Sequence, residues 1–298
     1  MDKIIRCITT DGAVMVSVIN STDLVYTAKK IHSTSPSATA ALGRLLSAGS
    51  MMGAQLKDNG ASITVRVNGQ GPSGAIIAVA DSKGNVRGYV ENPNCETKHY
   101  TDNKINVAAA VGKEGYIDVI RDYGTGEPYS SRTELISGEI AEDITAYYAQ
   151  SEQIPTACGL GVLIDKSDGE VMLAGGFLAQ LLPGADETAT DKLEDSLNKL
   201  EPMTTMLAKG MSVEEIARTV LSGFEVEIVD EYPVHYVCSC SREKVINSIA
   251  SLSNAEIKSM IEEDNGAEVS CIFCGKKYIF SADDLEQIIA LKGEGKKL

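Results

Sequence analysis

A chain of 298 residues, 43% hydrophobic and 23% charged with no tryptophan, is long enough to bury a core in two domains. That composition excludes a disordered, fibrous or collagen-like chain. A formal net charge of -15 disfavours binding to a nucleic-acid backbone or an anionic membrane, both of which call for a basic face. The N-terminus, Met1-Asp2-Lys3-Ile4-Ile5-Arg6, lacks the apolar run of a signal peptide. No stretch of about 18 consecutive apolar residues occurs, so the expectation is a soluble cytosolic protein without a membrane span.

Apolar and polar residues alternate over Ile4–Cys7 and Val14–Val18 around Asp11-Gly12, which predicts a hairpin. Residues 23–57 read as helical, with Leu42, Leu45, Leu46, Met51 and Met52 forming an apolar stripe and Pro36 opening the longer helix. Strands are expected at Ile63–Val67, Ala75–Ala80 and Val86–Val90, then at Tyr116–Arg121, Thr133–Ile136, Cys158–Ile164 and Glu170–Ala174. Between them Ile140, Ile144, Tyr147 and Tyr148 share one helix face, and Ser137 is the expected cap. The irregular mixture of strands and helices indicates an α+β domain.

After Leu182-Pro183-Gly184 the chain becomes helical and charged. Leu193, Leu197 and Leu200 lie at helical spacing, and Ser212-Val213-Glu214-Glu215 is a capping box. With few bulky anchors, residues 190–223 are expected to form a connector of modest stability. The remainder is a compact unit in which Ser253 and Ser281 begin helices, and short strands at 268–270 and 277–280 flank a cysteine pair. Residues 292–297 are expected to be a frayed tail. The expected organisation is an N-terminal mixed sheet-and-helix domain (1–183), a helical linker (184–235) and a small C-terminal zinc-binding α+β module (236–298).

Cys238-Ser239-Cys240 and Cys271-Ile272-Phe273-Cys274 carry the chemistry. Zinc asks for four soft ligands at tetrahedral corners, and two close pairs can each donate one edge. Gly275 suits the tight turn of a zinc knuckle. The C-x-C pair and the long spacer depart from an ordinary zinc ribbon. His235 lies nearby but is a weaker candidate than the four sulfurs. Oxidation of the thiolates would eject the metal, so the site can be a switch or a static structural zinc, and the residues alone leave both open. Cys7 and Cys158 fall in strand-like runs and read as core, while the Asn92-Pro93-Asn94-Cys95 stretch leaves exposure of Cys95 open and gives it no activating neighbour.

Conventional catalytic signals are missing, so no enzyme is expected. Gly69-Gln70-Gly71-Pro72-Ser73-Gly74 fits G-x-G-x-x-G, but a β-prone run follows it instead of a helix, and it reads as a hairpin turn. His32, His99 and His235 adjoin no nucleophile. Asp118, Asp122, Glu139, Glu142 and Asp143 read as solvated faces and caps.

Four stretches resemble the 33-kilodalton heat-shock chaperone family. They are the two cysteine motifs with Ser241-Arg242-Glu243 and Gly275-Lys276-Lys277-Tyr278, then Ser151–Thr156, Ser137–Asp143, and Gly175–Leu178 with Leu181–Gly184. The resemblance implies an ATP-independent bacterial holdase of the cytoplasm, inactive while reduced and zinc-bound. It implies that oxidation pairs Cys238 with Cys240 and Cys271 with Cys274, that zinc is released, and that the module and connector unfold. The protein would then bind unfolding clients, commonly as a homodimer. One rival is a nucleic-acid-binding zinc ribbon, which residues 236–298 oppose with 8 Lys/Arg against 10 Asp/Glu. The other is a thiol-disulfide oxidoreductase using Cys271 and Cys274, which the second pair and flanking strands disfavour.

Overall fold

The computed structural model describes residues 1–97 and 104–293. His99 and residues 294–297 of the expected tail lie outside these. The described chain divides into two compact units, Met1–Val237 and Cys238–Leu298.

In the first unit the elements are β1 (Lys3–Thr9), β2 (Val14–Asn20), α1 (Thr22–His32), α2 (Pro36–Gly53), β3 (Ser62–Gln70), β4 (Ile76–Asp81) and β5 (Val86–Val90). There follow α3 (Val107–Val111), β6 (Gly112–Asp122), β7 (Tyr129–Glu134), α4 (Ala141–Tyr147) running into a π turn (Tyr148–Glu152), β8 (Thr156–Ile164) and β9 (Val171–Leu181). Then come α5 (Glu187–Leu197), α6 (Met203–Ala208), α7 (Val213–Val220) and β10 (Val226–Pro233). The strands form two antiparallel sheets, ordered β10-β1-β2-β9-β8 and β5-β4-β3-β6-β7. The α+β architecture is the one the sequence implies.

Helix α2 is the centre of this unit. Ser35 caps it, Pro36 opens it, and every residue except Pro36 and Arg44 is buried. Its leucines and methionines share one core with Ile63 and Val65 of β3, Ile76 of β4, and Ile4, Ile19 and Leu178 of the other sheet. Fully burying each such side chain stabilises by about 1.5–3 kcal/mol. Small residues let the strands close in. A Cβ at Gly53 would lie 2.5 Å from the Asp81 carbonyl oxygen, so no larger residue fits there.

The two sheets bury different numbers of faces. Along β3 every second residue is buried, giving the one-sided alternation that the sequence displays. In β1 and β2 both parities are buried. Ile4 and Ile19 join the α2 core, while Ile5, Val14, Val16 and Val18 meet a second cluster beneath α5–α7. Strand β9 is accordingly longer than its expected five residues, with buried residues of both parities from Ala174 to Gln180.

That second cluster corrects the expectation of a poorly anchored connector. Met203, Met206, Leu207, Ile216 and Val220 are all buried on the sheet with Leu193, and Leu197 and Leu200 are partly buried against it. The sequence reading weighed only the leucine stripe and missed the methionine and β-branched anchors of two short helices. Residues 226–233 are also not helical. They form β10, which is antiparallel to β1 from Lys3↔Pro233 to Thr9↔Val226. Cys95, whose exposure the sequence left open, is buried in the α2 core, as Cys7 is in the second cluster.

The acidic residues do structural work. Asp118 pairs with Arg66 (3.0 Å) and Arg132 (2.5 Å), and Glu139 pairs with Arg44 (2.5 Å). Asp143, fully buried, accepts backbone N–H bonds from Ile136 (2.8 Å), Ser137 (3.0 Å), Gly138 (3.3 Å) and Ile140 (3.0 Å). It caps the turn ahead of α4 in place of Ser137, whose hydroxyl accepts from the Glu139 N–H at 3.1 Å. A carboxylate at the third helical position reaches back further than the serine can. Gly69–Gly74 lies in the β3–β4 hairpin as expected.

The second unit holds α8 (Arg242–Ala250), α9 (Asn254–Asp264), β11 (Gly266–Ser270), β12 (Lys277–Ser281) and α10 (Ala282–Gly293). Ser253 and Glu256 form a complete capping box at α9. Among the described residues the buried apolar core consists of Ile249, Ile257, Tyr278, Phe280, Leu285 and Ile288, with partly buried residues such as Val245, Ile246 and Met260 packed against it.

Replacing Asp143 by Ala leaves four backbone donors without their acceptor. The expected loss is about 3 kcal/mol of unfolding free energy, read as a lower urea midpoint. A midpoint that moves by less than about 0.5 kcal/mol equivalent would contradict this role.

Candidate metal centre

Two short backbone devices bring the four sulfurs together. Cys238 and Cys240 lie on an extended stretch that ends where Ser241 caps α8 by accepting the Lys244 N–H. The Lys244 ammonium donates to the Ser239 carbonyl at 2.8 Å and fixes the peptide between the two cysteines. Cys271 and Cys274 occupy the turn between β11 and β12. There the Gly275 N–H donates to the Cys271 carbonyl (2.8 Å) and the Cys271 N–H to the Lys276 carbonyl (2.9 Å). Gly275 has φ +70°, a left-handed conformation that a side chain would strain.

The Cys238 and Cys271 sulfurs are 3.6 Å apart and those of Cys240 and Cys274 3.4 Å. All four lie within 4.8 Å of one another and are half-buried. A tetrahedral centre with metal–sulfur bonds near ~2.3 Å has sulfur–sulfur edges of about 3.8 Å. The spacing therefore fits one metal ion held by four thiolates. Each close contact joins one cysteine of the first motif to one of the second.

Tyr278 is the residue that sequence reasoning left unassigned. Its hydroxyl donates to the Cys240 sulfur at 3.1 Å from the adjoining strand β12. That donation, first among several, holds the Cys240 thiol down at about 7 and pushes the Tyr278 phenol up to about 12. Burial pushes Cys238 up to about 12 and raises Cys274 as well. The available signal was Tyr278's place four residues after Cys274, on the strand leaving the knuckle.

The remaining candidates lie elsewhere. His235 is engaged through its backbone with Val86 and Asn85, and the ligand cluster among the described residues consists of the four cysteines. The His32 ring faces the Tyr236 hydroxyl at 3.1 Å. Cys7, Cys95 and Cys158 sit in the first unit, each with its thiol raised by burial.

A family model described as Hsp33 protein matches residues 2–281. The chain belongs to the Hsp33 family. It is 45% identical over 288 residues to the 33 kDa chaperonin of Clostridioides difficile, covering 97% of this chain and 98% of that one. To the 33 kDa chaperonin of Acetivibrio thermocellus it is 44% identical over 290 residues, with 97% of each chain covered. The crystal structure of the 33 kDa chaperonin of Thermotoga maritima, a heat shock protein 33 homolog, superposes with a TM-score of 0.89. That chain is 32% identical, and the match covers 98% of this chain and 99% of that one. Family membership makes this protein a chaperone.

A metal ion held by these four cysteines would have to displace protons from Cys238 and Cys274, whose thiols are raised. Apparent zinc affinity therefore falls as pH falls, by about tenfold per pH unit for each proton released. Competition against a chromophoric chelator at about pH 6 and pH 8 is expected to show affinity weaker by more than about a hundredfold at the lower pH. A flat profile would contradict thiolate ligation.

Proposed function

We propose that this protein is an ATP-independent holdase switched by oxidation of a zinc centre on Cys238, Cys240, Cys271 and Cys274. The observation that carries the reading is the four-sulfur cluster of metal-binding dimensions in a chain of the Hsp33 family. When bound, zinc cross-links the first cysteine stretch to the β11–β12 turn. In small cysteine-rich units such a link contributes on the order of 10 kcal/mol to folding. A unit whose buried apolar core, among the described residues, is six side chains depends on that contribution.

Oxidation removes the ligands. Four thiolates become two disulfides, Cys238–Cys240 and Cys271–Cys274, giving up four electrons to two equivalents of a two-electron oxidant such as peroxide. A disulfide sulfur is a poor zinc ligand, so the ion is released and the second unit loses its cross-link. In the organisation read from the sequence, residues 184–235 form the linker that responds. Helices α5, α6 and α7 are 11, 6 and 8 residues long. Helices of that length are marginal in water and keep their structure only while packed. Their release uncovers Leu193, Met206 and Ile216 together with the valines of β2, an apolar surface for unfolding proteins. The active form is read as a homodimer acting in the cytoplasm, with no membrane or nucleic-acid partner. Among the described residues no helix is long and apolar enough to cross a membrane.

The decisive experiment follows zinc release and suppression of aggregation of a heat-unfolding reporter enzyme together during peroxide treatment. Both are expected to rise in parallel and to reverse with a reducing thiol. Zinc loss without suppression would leave a static structural metal and overturn the holdase reading. Amide exchange offers a second prediction. Protection across 190–235 is expected to fall after oxidation while α2 stays protected, and retained protection would exclude the linker as the responding segment.

A further inference from the structure

One continuous segment, residues 226–237, closes an edge of each sheet in the first unit. Strand β10 covers the outer edge of β1, and the residues after it cover the outer edge of β5. There the Val86 N–H donates to the His235 carbonyl (3.0 Å) and the Val237 N–H to the Val86 carbonyl (3.0 Å). The Tyr236 hydroxyl donates to the Gly88 carbonyl at 2.8 Å. Cys238 is the next residue in the chain.

The way β10 is held is informative. Ile228 and Val229 are 46% and 53% exposed, so its attachment draws little on burial. It rests on charge and on seven main-chain pairs with β1, interrupted at Val229, where the register shifts between Arg6 and Cys7. Arg6 pairs with Asp230 at 2.9 Å and Lys3 with Glu231 at 2.9 Å, while Lys3 also meets Glu214 of α7 at 2.5 Å. The β1 edge thus presents a ladder of backbone donors and acceptors flanked by two cations, and its present occupant is an acidic, β-prone strand, Val-Glu-Ile-Val-Asp-Glu-Tyr-Pro. Main-chain pairing selects an extended backbone and tolerates many side chains.

We propose that the β1 edge is a strand-addition site for clients: once residues 226–237 detach, an extended segment of an unfolding protein, β-prone with acidic residues, pairs with β1 in place of β10. The β5 edge offers a second, shorter position of the same kind. This inference rests on the reading that oxidation releases the linker, and it adds a backbone-directed mode to the apolar surface beneath α5–α7.

The test uses full-length protein and a fluorescent peptide of residues 226–233. Two further peptides carry N-methyl groups on alternate backbone nitrogens, the alternation stepped by one residue at Val229, where the register with β1 shifts, so that one set faces β1 throughout and the other faces away. The peroxide-oxidised protein is expected to bind the unmodified peptide. In an antiparallel pair only alternate N–H groups face the partner. The set facing β1 should therefore weaken binding by more than about tenfold and the set facing away little. Carboxymethylated α-lactalbumin, permanently unfolded, should compete. The double variant Glu227→Pro/Ile228→Pro, kept reduced and zinc-loaded, opens the edge without oxidation and should bind the peptide too.

Each outcome decides. Suppression of aggregation by oxidised wild type, with both methylated peptides bound like the parent or none bound at all, overturns strand addition and leaves the holdase reading standing. Peptide binding by the proline variant with no gain in oxidised wild type sustains the edge and sinks the redox switch. Concentration-dependent dimers that the peptide dissolves, without competition from α-lactalbumin, give the edge to a second copy of this chain and overturn the client proposal.

Discussion

The meeting of four sulfurs within 4.8 Å joins the stretch ahead of α8 to the turn between β11 and β12 in the second unit. Among the described residues the buried apolar core of that unit is six side chains, and two of these, Tyr278 and Phe280, stand on the strand that leaves the knuckle. The metal centre and the core are therefore not separate features. Tyr278 packs with one and donates to a sulfur of the other at 3.1 Å, so a change at Cys240 is felt directly in the packing. If the proposed metal centre is lost, few interactions of this unit would remain, which is the property the proposed switch requires.

The first unit is constructed in the opposite manner. Helix α2 is buried along nearly its whole length between two sheets, and its core draws on the strands of both. Nothing in that core involves α5–α7, which pack on the far face of the β10-β1-β2-β9-β8 sheet with their own cluster. Removing those helices would strip one face of one sheet and leave the α2 core intact. With the apolar residues divided into two clusters, the proposed release of α5–α7 would not require the α2 core to unfold.

Much of this was legible in the sequence because it is local chemistry. Pro36 marks the start of α2, Ser212 and Ser253 mark capping boxes that form as written, and paired cysteines at both ends of a short segment announce one centre. What escaped was decided by partners distant in the chain. Met203 and Met206 count for little as isolated residues but anchor α6 because β2 and β9 supply the surface beneath them. Residues 226–233 carry too few buried positions for period-two reading to find, since β10 is held by β1 at the other end of the chain and by Arg6 and Lys3. Asp143 outdid Ser137 as a cap through the turn at Ile140, whose φ of 71° no composition rule foresees.

The same distance in sequence gives β10 its significance. A strand that contributes backbone pairing and exposed carboxylates but little buried surface is held weakly for its length, because exposed ion pairs are worth about 0–1 kcal/mol each and hydrogen bonds about 1 kcal/mol net. Such a strand competes on nearly equal terms with any other extended chain. Its advantage over a client is that it is tethered, which raises its effective concentration into the millimolar range, on the order of that for a short flexible linker. In the proposed switch, disorder of α5–α7 would lengthen the tether on one side, and unfolding of the second unit would free the other. On the proposed reading, the occupancy of the β1 edge would be set by linker length and client concentration, so that oxidation at the sulfurs would change an equilibrium at a strand that contains no cysteine.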